Sequence, residues 1–194
     1  MKKTIQCAIA GLGRIGSTLE QDRLREKPAS HAGAIANHPD CILVSGCDPV
    51  KRQREEFSRT WPGARLYTQS KEMLRNETPD IYHIASWTDT HPQLLEEAID
   101  CGIPVIICEK PLANTEQSLT GVLAKAENKT SRIIINHERR FSQDYRAARQ
   151  IAAGKKFGNL HTISARLYMG KTRPAGEVLL HDGTHMLDII RFLS

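Results

Sequence analysis

The chain has 194 residues, enough for one large domain or for one complete domain and part of another. Apolar residues make up 40% and charged residues 25%, the balance of an ordinary globular protein, and no run approaches the roughly 20 apolar residues that a bilayer span needs. The formal charge of +5 is concentrated in residues 137–156, where Arg139, Arg140, Arg146, Arg149, Lys155 and Lys156 stand against Glu138 and Asp144. Only Phe141 and Tyr145 interleave with these charges. A solvated helix face or a subunit contact is therefore expected there, not a nucleic-acid surface.

Lys2 and Lys3 precede an apolar run, but that run meets glycines and Arg14 without a small-residue cleavage site. A cytoplasmic protein with no membrane partner is expected. The five cysteines (Cys7, Cys41, Cys47, Cys101 and Cys108) lie in or beside apolar runs with no C-x-x-C pair. They read as reduced core thiols, not as a disulfide or zinc framework.

In chain order, strands are expected at 4–10, 41–47, 80–85, 103–108 and 132–136, with helices near 14–36, 49–59, 70–76, 91–101 and 115–128. This alternation predicts parallel βαβ units. Runs such as Cys41-Ile42-Leu43-Val44 and Val105-Ile106-Ile107-Cys108 are apolar on both faces, as strands covered by helices on either side must be. Ser70 is placed as a helix N-cap, Pro92 in a first turn and Gly102 as a helix stop. From Phe141 the rhythm changes: a helix over 142–153 ending at Gly154, a long strand over 158–169, and a final helix over 182–193. The division expected is 1–137 for the first domain and 138–194 for the beginning of a second. Ile189, Ile190, Phe192 and Leu193 would need a partner surface, so a truncated product or fragment is expected.

The first strand runs directly into Gly11-Leu12-Gly13-Arg14-Ile15-Gly16. In this pattern Gly11 permits the tight turn, Gly13 lets the backbone approach a pyrophosphate and Gly16 lets the helix pack closely. The helix start then offers N–H groups and partial positive charge to phosphates. The alternative is a glycine-rich turn of another α/β protein, such as a methyltransferase. Asp48, after the second strand, is placed to hold the adenosine ribose hydroxyls, at a longer spacing than usual because of the polar stretch from Glu20 to Ser30. A carboxylate there favours NAD. Lys51 and Arg52 keep NADP open, and a simple helix cap before Pro49 is the structural alternative. Ser86-Trp87-Thr88 follows the strand at 80–85, on the edge where open α/β sheets bind ligands; Trp87 either covers the cofactor or fills an apolar gap.

With these stretches, Ile84-Ala85-Ser86 followed by His91, Glu109-Lys110-Pro111, Arg140-Phe141, and Gly183-Thr184-His185 with Asp188 resemble the glucose–fructose oxidoreductase/inositol dehydrogenase family, Gfo/Idh/MocA. The resemblance runs over essentially the whole chain. It implies an α/β fold, a Rossmann-type doubly wound parallel sheet, followed by the beginning of an α+β substrate domain with a mostly antiparallel sheet. It further implies an NAD(P)-dependent oxidoreductase that moves hydride between nicotinamide and a ring carbon of a sugar, cyclic polyol or sugar derivative. The cofactor residues it implies are Gly11, Gly13, Arg14, Ile15, Gly16, Asp48, Ser86, Trp87, Thr88, His91, Glu109 and Lys110. Lys110 becomes the residue that stabilises charge on the reacting oxygen, and His185 the one that moves the proton.

The sequence departs from the family where an Asp commonly stands four residues before that histidine. Here the position is His181, which can bond substrate or share the relay but provides no fixed negative charge. The pair His181 and His185 at i, i+4 also has zinc-ligand spacing, although Gly183 between them weakens the helix, and the resemblance assigns no metal. Arg139, Arg140 and Tyr168 border the substrate pocket in the family, and Arg140 is equally explained as a structural pair with a carboxylate. A homo-oligomer is expected only of a form with the complete second domain. Two rivals stand beside the dehydrogenase: an NAD-assisted glycosidase, and a non-catalytic nucleotide-sensing regulatory or scaffold protein.

Overall fold

The structure, a computed structural model, describes residues 3–127, 129–154, 156–168 and 174–194. The chain divides into two compact units, Met1–Ile135 and Asn136–Ser194. The first is built on a six-stranded sheet in the order β3-β2-β1-β4-β5-β6. Its strands are β1 (Ile5–Ala10), β2 (Cys41–Cys47), β3 (Arg65–Tyr67), β4 (Ile81–Ile84), β5 (Val105–Glu109) and β6 (Arg132–Asn136). β1 pairs in parallel with β2 and with β4, β2 with β3, and β4 with β5. The chain steps outward from β1 to β3, then returns to add β4 on the other side of β1. Between β1 and β4 lies the topological switch point, where doubly wound sheets open a crevice.

The helices are α1 (His31–Asn37), α2 (Lys51–Thr60), α3 (Ser70–Glu77), α4 (His91–Asp100) and α5 (Glu116–Ala126). Because strand side chains alternate, two separate cores result. Ala8, Ala10, Tyr82, Ile84, Ile106 and Cys108 pack with Met73, Leu74, Leu95, Ala98 and Val122 of α3–α5. Cys7 and Ile9 pack on the opposite face with Ala32, Ile35 and Phe57 of α1 and α2. The run Cys41-Ile42-Leu43-Val44 is not covered on both faces as expected, since Ile42 is 50% exposed and its neighbours half-buried. In β5 no residue is exposed, and burial on both faces accounts for the apolar run. Burial also pushes the Cys7 and Cys47 thiols up to about 12, which keeps them protonated and unreactive.

Four further expectations need correction. Residues 14–36 do not form one helix. A first turn follows Gly13, Thr18–Gln21 is a short 3-10 turn, and the chain then leaves the helix until Ser30 caps α1 through its side chain. Pro28, which lacks an N–H, and the polar residues around it favour a loop there. Yet the helix resumes in register: His31 N–H donates to Ile15 O at 2.9 Å and Ala32 N–H to Gly16 O at 3.0 Å. Residues 18–29 are thus spliced into an otherwise continuous helix. Glu20 closes the loop by accepting from Ala29 N–H and Ser30 Oγ–H, at 2.9 and 2.8 Å.

Secondly, β3 was not expected, since three residues are too few to show a period. Thirdly, Ser70 is the first residue of α3 with Gln69 at the cap position; its hydroxyl is committed to Tyr82 Oη at 2.8 Å. Fourthly, residues 158–168 form no strand and are mostly exposed; residue 169 lies outside the described residues. A strand is stable only as one member of a hydrogen-bonded ladder, and among the described residues beyond Asn136 there is no other strand to pair with. Pro92 in the first turn of α4 and Gly102, at φ 68° after its end, stand as expected.

The second unit holds a short helical turn (Glu138–Phe141), α6 (Gln143–Ala153), and α7 (Ala175–Val178) running through a π-helical turn (Leu179–Gly183) into α8 (Thr184–Leu193). This last helix begins earlier than expected. No helix among the described residues is long and apolar enough to cross a membrane. If residues 18–29 are a spliced loop, joining Ser17 directly to Ser30 restores an unbroken helix. The shortened protein is expected to unfold cooperatively with a Tm within about 5 °C of the parent, because little but loop is lost. Circular dichroism melting checks this, and loss of a cooperative transition would show that the loop is structural.

Candidate functional site

β1 ends in a turn whose three glycines are demanded for different reasons. Gly11 has φ 86°, and a Cβ there would lie 2.6 Å from the carbonyl carbon of Ala85 and the nitrogen of Ser86. A Cβ on Gly16 would stand 2.0 Å from Gly11 O, so the turn closes on itself at that point. At Gly13 nothing lies within 4 Å of where a Cβ would be: the backbone is bare and faces open space. This is the condition for close approach of a pyrophosphate, and the residues present fit a dinucleotide. Arg14 is exposed and Ile15 half-buried on the first turn.

Asp48, at the end of β2, is 8% exposed and holds the turn from below. One carboxylate oxygen accepts from Leu12 N–H at 3.0 Å and the other from Val50 N–H at 2.8 Å. A carboxylate oxygen has a second lone pair, so ribose hydroxyls can still be bound. Neither the ribose reading nor the local-turn reading of Asp48 excludes the other. Lys51 is exposed and lies 3.6 Å from Glu55.

After β4, Ser86 and Thr90 share a hydrogen bond at 2.7 Å and Thr88 is buried. Trp87 is 82% exposed, which removes the gap-filling alternative. His91 is 1% exposed, with Nδ1 2.9 Å from Pro111 O and Nε2 3.1 Å from Ser86 O. It therefore sits between the loop after β4 and the loop carrying Lys110. A neutral imidazole donates to only one of these two carbonyls. Glu109 closes β5, and Lys110 follows with a cis bond to Pro111.

Reasoning from the sequence missed what lies behind Glu109. His31 Nε2 is 3.0 Å from Glu109 Oε1, and His31 Nδ1 is 3.0 Å from His83 Nδ1. All three residues are at most 9% exposed. The available signal was a histidine amid Ile81-Tyr82-His83-Ile84, where a covered strand wants only apolar side chains. Burial first, then the neighbouring His31, pull the His83 imidazole from 6.5 down to about 3.

In the second unit, α8 buries His185 and Asp188. Arg140 makes a two-pronged ion pair with Asp188, Nε to Oδ2 at 2.9 Å and Nη2 to Oδ1. The carboxylate raises the guanidinium further above its ordinary value. Arg140 thus takes its structural reading, and its guanidinium also lies 5.5 Å from the Phe192 ring centre. His185 meets the edge of His137 with ring centres 6.3 Å apart, and its Nδ1 lies 3.9 Å from Glu138 Oε2. Glu138, read from the sequence only as a counter-charge in the basic stretch, brings to His185 the carboxylate that His181 does not supply. His181 itself sits in the π-helical turn, so its spacing to His185 is not that of an uninterrupted helix. Tyr168 is 85% exposed. Lys110 belongs to the first unit, and His181 and His185 to the second.

A parallel sheet with a switch point, a glycine turn open at its second glycine and a buried acid after β2 define a dinucleotide-binding α/β protein. Residues 5–137 match the oxidoreductase family with an NAD-binding Rossmann fold, GFO_IDH_MocA, and the chain belongs to that family. It is 31% identical over 199 residues to an inositol 2-dehydrogenase of Pseudarthrobacter chlorophenolicus, spanning 100% of this chain and 55% of that one. An inositol 2-dehydrogenase of Burkholderia multivorans is 25% identical over 194 residues, 98% of this chain and 54% of its own. Among solved structures, a myo-inositol dehydrogenase from Corynebacterium glutamicum superposes with a TM-score of 0.77 at 25% identity, over 98% of this chain and 55% of that chain. The chain spans about half the length of the curated relatives it matches.

His83 carries a pH signature. The unfolded chain takes up a proton near pH 6.5 that the folded chain refuses until about pH 3. Its contribution is whole above pH 6.5 and is lost at about 1.4 kcal/mol per pH unit as pH falls toward 3. The groups facing it are His31 and, beyond that, Glu109. Urea unfolding at pH 7 and pH 5 is expected to show a loss about 2 kcal/mol larger in the parent than in His83→Leu. Equal losses would contradict this assignment.

Proposed function

We propose that the chain carries the dinucleotide-binding half and part of the substrate-binding half of an NAD-dependent dehydrogenase acting on a cyclic polyol or sugar. Inositols are the leading substrate class. The observation that carries the proposal is the glycine turn, open at Gly13 and locked against the end of β4. Beside it runs the strand whose end bears Lys110. The inositol dehydrogenases among the relatives support the choice of substrate class.

The backbone N–H groups after Gly11 would hold the pyrophosphate, aided by the helix start and by Arg14. Asp48 would accept from the ribose hydroxyls, and its buried carboxylate would repel a 2′-phosphate, which favours NAD over NADP. Ser86, Trp87 and Thr88 line the edge of the crevice beyond β4. Bound NAD supplies the hydride acceptor. The Lys110 ammonium donates a hydrogen bond to the substrate oxygen and stabilises negative charge there as the ring C–H electron pair departs. His185 takes the hydroxyl proton, so that C–OH becomes C=O, and the Glu138 carboxylate favours the imidazolium that results. His181 contributes a second imidazole for binding the substrate or passing on the proton.

The test is incubation with NAD and myo-inositol, following NADH formation by absorbance. Turnover is expected in the parent. In Lys110→Ala, kcat falls at least about a hundredfold while NADH still binds, because the variant loses an interaction made in the transition state. Turnover indifferent to Lys110 would overturn its role. Nucleotide binding without oxidation of any polyol or sugar would overturn the dehydrogenase reading.

A further inference from the structure

The row His83–His31–Glu109 is not accounted for by folding or by the chemistry above. Well-packed apolar residues of similar volume often stabilise a core as well as a buried polar row does, so stability alone does not account for this one. His83 lies in a strand whose neighbouring residues Ile81, Tyr82 and Ile84 are apolar or aromatic, and its own ring is 7% exposed. We propose that His31 and His83 are positioning residues, holding Glu109 and through it the segment that aims Lys110. The proposal deepens the function above and rests on the role given there to Lys110.

The hydrogen bonds leave each ring little freedom. Two Nδ1 atoms 3.0 Å apart share one proton, so one donates and the other accepts. Between His31 Nε2 and Glu109 Oε1, 3.0 Å apart, a carboxylate can only accept, so the imidazole N–H donates. Flipping the His31 ring would put carbon against both partners. His83, held in a covered strand, sets the orientation of His31, and His31 in turn fixes Glu109.

The ends of the row give it a purpose. Glu109 is the last residue of β5 and is bonded directly to Lys110. On the far side of the lysine, buried His91 packs against Pro111, its Nδ1 2.9 Å from Pro111 O. The segment Glu109-Lys110-Pro111 thus has a buried imidazole on each flank. His31 is also the residue at which the spliced helix resumes, its N–H bonded to Ile15 O of the glycine turn. One residue, through its backbone N–H on one side and its imidazole on the other, therefore connects the turn that would bind phosphates with the strand end that would do chemistry. A small misplacement of a group that must meet a reacting atom costs far more in rate than in binding.

Three variants test this. His83→Leu removes the outer hydrogen bond, whereas His83→Asn keeps an amide N–H near the Nδ1 position. His31→Gln keeps a donor near Nε2 for Glu109 but loses the His83 contact. With NAD and myo-inositol, His83→Leu is expected to lower kcat about tenfold, leaving KM and NADH affinity within about twofold. His83→Asn should recover most of the loss, and His31→Gln should fall between. Should His83→Leu fail to fold, His31→Gln decides. Parental kcat in His83→Leu, or in His31→Gln where His83→Leu does not fold, overturns the positioning role alone, as does His83→Asn no faster than His83→Leu. If the parent binds NADH yet oxidises nothing, the proposed function falls and this inference falls with it.

Discussion

The contact on which the first unit depends is the approach of Gly11 to the end of β4. With φ at 86° and room for hydrogen only, Gly11 brings the turn after β1 to within van der Waals contact of the Ala85–Ser86 peptide. Any side chain would drive these two strand ends apart. Once they are together, several consequences follow. Gly16 must tuck beneath Gly11 O, the bare backbone at Gly13 is left facing the crevice, and Leu12 N–H is brought to Asp48. The switch point of the sheet supplies the crevice, and the close approach sets the glycine turn at its edge.

A second constraint is the helix that follows. Its first turn starts on the glycines, and its remainder carries Ala32 and Ile35 into the core beneath β1. Residues 18–29 leave between these parts without disturbing the hydrogen-bond register, because the loop is pinned at its base by Glu20. The close packing of Glu20 on Gly33 shows how tight that base is: a Cβ at Gly33 would fall 2.0 Å from the carboxylate. Long excursions of this kind are thermodynamically tolerable when both ends emerge at adjacent points of a rigid element.

Much of this was legible in the sequence. The parallel strands announce themselves as apolar runs, although the run at 41–44 proves half open to solvent, and the glycine turn between a strand and a helix carries its own geometry. The acid at position 48 and the lysine at 110 could be placed at strand ends without coordinates. What could not be read depends on residues far apart in the chain. The bond between His31 and Glu109 joins residues 78 apart, and no local pattern foretells it. Likewise Glu138 reaches His185 only through the packing of the second unit. The polar excess from Glu20 to Ser30 was visible, but not that the helix continues across it. A strand was expected over 158–169, yet a strand-like stretch does not itself supply the neighbouring ladder that makes a strand. The imidazole in β4 was the clearest missed signal, because it breaks the very pattern that identified the strand.

The central claim is that the turn from Gly11 to Gly16 binds a nicotinamide dinucleotide. The most direct measurement is a fluorescence titration of the chain with NADH and with NADPH, beside a Gly13→Val variant. That side chain enters open space and meets no protein atom within 4 Å at its Cβ. The account predicts saturable binding by the parent, tighter for NADH, and loss of binding in the variant with its melting temperature little changed. Equal binding by parent and variant, or no binding of either nucleotide by a folded parent, would contradict it.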